Sequence, residues 1–145
     1  MKNNKYFLAA IAGAVAFFLL GWLIYGVALM DFMAQHSGLS AEVQAQFNKP
    51  MDQMIWWAMI VSNLAAGFLI ATILAWGNIT TAAGGAKAGA TIGLLMSMSY
   101  DFGFYGFSNM FTMTSLFADI AAGVVMSAIG GAVVAWVLGK GTASA

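Results

Sequence analysis

The chain has 145 residues, of which 62% are hydrophobic and 7% charged, with five Lys, no Arg, five acidic residues, one His and no Cys. An ordinary soluble domain is about half apolar and about a quarter charged, so this composition excludes one and points to a chain embedded in a bilayer. A formal net charge of zero leaves no basic face to follow a phosphate backbone, which removes nucleic acid as a partner. The lack of Cys removes disulfides, thiolate nucleophiles and Cys-ligated metals; a single His removes His-cluster metal sites and bis-His haem, and no cofactor is expected.

A membrane-crossing helix needs about 20 apolar residues. The first such run, about 6–30, carries no charge. It follows Met1-Lys2-Asn3-Asn4-Lys5, which imitates a secretory leader, but the run exceeds the length of a leader's apolar core and reads as a retained helix. The connection that follows contains Ser40, a helix-capping residue, then Leu39, Val43 and Phe47 at a spacing of four, and is ended by Asn48-Lys49-Pro50. This predicts a short amphipathic helix over about 40–48, lying on the membrane surface or folding over the mouth of the bundle.

The second span, about 54–76, is interrupted only by Ser62 and Asn63. The third, about 83–100, is the least hydrophobic, rich in Gly, Ala, Thr and Ser with Lys87 near its start. It reads as a helix packed closely on neighbours, with Lys87 reaching to the interface. The fourth span covers about 114–138. The fold expected is therefore all-α: a polytopic integral membrane protein of four transmembrane helices in two hairpins, forming one domain.

Four spans put both termini on one side, with Lys2, Lys5, Lys87 and Lys140; Asp31, Glu42, Asp52, Asp101 and Asp119 fall towards the other, with Lys49 as its only base. Lys excess marks the cytoplasmic face, so both termini are expected inside a bacterial inner membrane. Membrane lipids are the expected surroundings, and a homo-oligomer or a larger membrane complex the candidate assemblies.

Two internal echoes link the halves. Ser62-Asn63-Leu64-Ala65-Ala66-Gly67 matches Ala118-Asp119-Ile120-Ala121-Ala122-Gly123, and Ala12-Gly13-Ala14-Val15 matches Ala88-Gly89-Ala90-Thr91. Parallel repeats of this kind occur in some transporters, and here they make Asn63 and Asp119 equivalent positions. Small residues also recur at every fourth position, lining one face of a helix: Gly85, Gly89, Gly93 and Ser97 lead to Asp101, and Asp119 leads into Gly123, Ser127 and Gly131. Such rows let helix backbones approach closely in lipid. If the two rows meet, Asp101 and Asp119 approach one another, and one proton shared between them is expected. Asn63, Tyr100, Tyr105 and Asn109 are the further candidates for ligand or ion binding at this place, because acids near membrane depth need partners.

The Tyr100-Asp101 pair, the aromatic segment running to Asn109, and Asp119 opening the last span resemble small bacterial four-helix membrane proteins of unknown function. The resemblance implies a four-helix membrane fold and carries no activity. Three functional readings stand. The first is a non-enzymatic accessory or assembly subunit, or a homo-oligomer, working through glycine-seam packing. The second is a small transporter or channel with a proton, cation or polar-solute site at Asn63, Asp101 and Asp119. The third is an intramembrane enzyme using Asp101 and Asp119 as acid and base.

Overall fold

The computed structural model describes residues 3–140. It is 84% helical, and no strand occurs among the described residues. Four long helices carry the architecture: α1 (Asn3–Leu23), α4 (Trp56–Trp76), α5 (Ala82–Phe107) and α6 (Met113–Gly139). Two short helices, α2 (Met30–Gln35) and α3 (Ala41–Phe47), lie in the connection between α1 and α4. Residues 4–28, α4 and α6 are each long and apolar enough to cross a membrane. Their outward faces carry exposed Leu8, Leu19, Ile60, Leu69, Val125 and Ile129, which is the reverse of a soluble protein and the expected surface against lipid.

Helix α5 falls outside that apolar group because six of its residues are Gly and it also carries Lys87, Ser97, Ser99 and Asp101. Those small residues serve contact instead. A side chain at Gly85 would meet the backbone of Gly131, one at Gly89 the backbone of Ser127, and one at Gly93 both Ser127 and Gly123. Each step of four up α5 is matched by a step of four down α6, so the two helices are antiparallel and their backbones touch along the whole row. This is the most extensive helix pair in the molecule.

Helix α6 is also the element against which the remaining long helices pack. On another of its faces, Gly13 meets Val134, Phe17 meets Gly130 and Gly21 meets Met126, which sets α1 antiparallel to α6. Helix α4 closes against α1 where Gly67 admits the backbone of Ala10 and Ala14, and the Tyr6 hydroxyl lies 2.8 Å from that of Thr72. The apolar core sits at the end of the bundle that holds the chain termini, built from Ala9, Ala10, Ile70, Leu74, Val134 and Leu138 with their neighbours. At that end Lys5 donates to the Lys140 carbonyl, and the Lys140 ammonium stands 3.5 Å over the Trp136 ring.

Two boundaries differ from expectation. The first helix does not run on to residue 30: it passes into a π-helical turn at Ile24–Ala28 and breaks at Leu29 before α2. The third long helix does not end at Tyr100-Asp101 but continues to Phe107, so most of the aromatic segment that the expected spans leave between them is helical. Gly103 and Gly106 have open space around them and impose no bend, and the chain turns only at residues 108–112, before Thr112 caps α6. The short helix of the connection forms at Ala41–Phe47, capped by Ser40 as its sequence predicts.

Candidate functional site

The α5–α6 row that begins at Gly85 and Gly131 reaches Asp101 and Asp119 at the end of the bundle away from the termini. Above Gly93, a side chain at Gly123 would meet the hydroxyl of Ser97; the next step brings the Asp101 carboxyl against that of Asp119. Asp101 is 1% exposed, and its Oδ2 has no hydrogen-bond partner among the described residues. A buried carboxylate oxygen left unpaired costs far more than one in water, which sets Asp101 apart from the other acids of the chain.

The α1 row that carries Gly13, Phe17 and Gly21 reaches Tyr25 one step later, and the Tyr25 hydroxyl lies within hydrogen-bonding reach of Asp119. Tyr25 belongs to the π-helical turn. Such turns are rare and concentrate at functional sites, because the extra residue in the turn re-aims a side chain. Tyr25 is not among the candidates that the sequence offers. Its signal was the spacing of four from Gly21, the same rule that identified Asp101 and Asp119.

Half-buried Asp119 and Tyr25 open onto a cleft of about 840 Å³. Its walls are largely apolar: Met30, Met33, Met54, Met59 and Met110 line it with Ala34, Leu39, Ile55 and Phe111. Lys49, Asn48 and Gln44 supply its polar rim from the connection between α1 and α4, and buried Ser115 joins Asp119 on the α6 side. Among the described residues no three His, Cys or acidic side chains gather as a metal-binding group.

The connection is fastened over this cleft rather than draped loosely beside it. The Gly38 amide donates to the Met110 carbonyl at 3.1 Å, and Ser37 and Phe111 form an isolated antiparallel bridge. The Thr112 hydroxyl donates to the His36 carbonyl at 2.6 Å while its oxygen also caps α6 in a reciprocal arrangement with Ser115. The Gln44 amide then bonds the carbonyls of Ala34 and Leu39, folding α3 back on α2.

Other candidate residues lie elsewhere. Asn63 donates to the Met59 carbonyl of its own helix and lines a separate groove of about 180 Å³ between α1 and α4, away from the two carboxyls. Tyr100 is exposed and packs on Phe104 with ring centroids 4.5 Å apart and the rings tilted by 40°; Tyr105 is exposed as well. Asn109 is exposed, and its contribution is a backbone carbonyl packed against Gly38. Comparison with protein-family models, curated proteins and solved structures finds no match for this chain.

Proposed function

We propose that this protein is a non-enzymatic membrane protein of four spans, arranged as two hairpins with both termini cytoplasmic, that binds a cation at Asp101, Asp119 and Tyr25. The three apolar helices support a membrane location, and the Lys-rich end supports its orientation in a bacterial inner membrane. Helix α5 is the fourth span in this reading. Its 26 residues give about 39 Å of helix, long enough for the hydrocarbon layer, and its small face is occupied by α6 rather than by lipid.

One observation carries the binding role: the unpartnered Oδ2 of a 1% exposed Asp101, held against a second carboxyl. Two adjoining carboxyls, one of them buried, favour a proton or a cation between them, and Asp119 opens that place onto the cleft. Infrared spectroscopy of the protein in lipid nanodiscs tests this. Adding K⁺ or tetramethylammonium is expected to lower a protonated-carboxyl band, and Asp119→Asn is expected to abolish the response while the helical signal is unchanged. A cation-insensitive band in the unmutated protein overturns the reading.

A further inference from the structure

The volume above the carboxyls far exceeds what an inorganic ion or a proton requires. A water molecule occupies about 30 Å³ of liquid, whereas this cleft measures about 840 Å³ and falls in the range of sites for small organic molecules. Its apolar wall includes five Met side chains, which are unbranched, polarisable and able to refit around apolar bodies of different shape. Its polar residues fall in two sets. The floor has Asp119 with Tyr25 and Ser115, backed by Asp101, and the connection between α1 and α4 supplies Lys49, Asn48, Gln44 and Ser37. The floor is therefore acidic and the wall apolar, while the single Lys belongs to the exposed connection.

The geometry points to an amphipathic organic cation as the ligand of this cleft: a compact apolar body seated among Met30, Met33, Met54 and Met59, with one positively charged nitrogen or phosphorus directed at Asp119. This rests on the cation site proposed above and names its ligand class. Charge complementarity selects the sign, since two carboxyls meet at the floor and the one ammonium is at the rim. The wall selects the apolar body, because filling it with a hydrated inorganic ion would leave its Met surface facing water. A neutral ligand of the same shape would leave the floor without its counter-charge, and an anion would be repelled by it.

Equilibrium dialysis of radiolabelled tetraphenylphosphonium against the protein in zwitterionic phosphatidylcholine nanodiscs provides the test. Saturable binding is expected, unaffected by triphenylphosphine oxide, the neutral body, and by tetramethylammonium, the small charge, at the same concentration. Asp119→Asn is expected to weaken binding at least tenfold. Ala58 also lines the apolar wall, and Ala58→Trp, which adds bulk there without altering a carboxyl, is expected to abolish binding while leaving the infrared response to K⁺ intact. Lys49→Gln, which removes the repelling charge at the rim, is expected to tighten binding severalfold.

Equal competition by triphenylphosphine oxide, or tetraphenylphosphonium binding indifferent to both Asp119→Asn and Ala58→Trp, overturns the inference. If tetraphenylphosphonium does not bind while the carboxyl band still answers to K⁺ or tetramethylammonium, the ligand class falls and the cation site stands. If neither cation type has an Asp119-dependent effect, both fall. Matching elution volumes and melting temperatures across the variants keep misfolding from being read as lost binding.

Discussion

Gly38 occupies a position where a Cβ would strike the backbone carbonyl of Asn109, so the close passage of the connection over the α5–α6 turn depends on having no side chain there. Thr112 holds the same junction with one hydroxyl, bonding the His36 carbonyl and capping α6. Thr112→Val removes both roles and is expected to cost about 1–2 kcal/mol. Gly38→Ala is expected to speed hydrogen exchange at the residue-38 amide, whose bond to Met110 it disturbs, while amides in the α5–α6 seam keep their protection. Uniform loss of protection through all helices would instead mean that the junction supports the entire fold. The juxtaposition of Asp101 with Asp119 is legible in sequence because each continues a row of small residues at a spacing of four. The separation of Asn63 from them is not legible. Asn63 and Asp119 occupy matching places in the internal echo, yet α4 turns its Gly67 row to α1 while α6 turns its Gly123 row to α5. Sequence similarity between two helices says nothing about which neighbour each will face.

At the scale of the element, α5 shows how two classes of glycine in one helix do opposite things. Gly89 stands against the Ser127 backbone, whereas Gly103 has nothing near it. Gly89→Leu is expected to force α5 from α6 and destabilise the protein by about 1–3 kcal/mol or more. Gly103→Ala is expected to be neutral or to stabilise by up to about 1 kcal/mol, since it removes only the flexibility of glycine from a helix interior. Thermal unfolding of the two variants in the same detergent checks the contrast, and equal effects would contradict the packing described. Composition and hydropathy locate the four long helices but misplace their ends. The aromatic run after Asp101 looks like a turn because it is polar at its close and contains two glycines. It remains helical because nothing stops the backbone until Ser108, where the chain becomes extended before the cap of α6. The π-helical turn at Ile24–Ala28 leaves no mark in the sequence, since a single extra residue in a turn does not alter an uninterrupted apolar run.

At the scale of the whole molecule, the arrangement of charge predicts a topology that fusions can read. Alkaline phosphatase joined after Gly77 is expected to be inactive, because the α4–α5 turn lies at the end that holds Lys5, Lys87 and Lys140. Fused within residues 108–112 it is expected to be active, and activity at Gly77 would reverse the orientation. The turn itself is compact, with Asn78 in the left-handed region at φ 53° and Thr81 capping α5. Helix α6 touches α1, α4 and α5, whereas α5 leans almost entirely on α6. The order of synthesis makes this consequential. In the four-span arrangement proposed above, a ribosome delivers α1, α4 and α5 into the bilayer before α6, so α1 and α4 can pair at once while α5 must wait with its glycine face and Asp101 unpartnered. The helix against which the other three pack arrives last, and in that arrangement the newborn chain until then exposes to lipid, or to the insertion machinery, the acidic group that the finished bundle encloses.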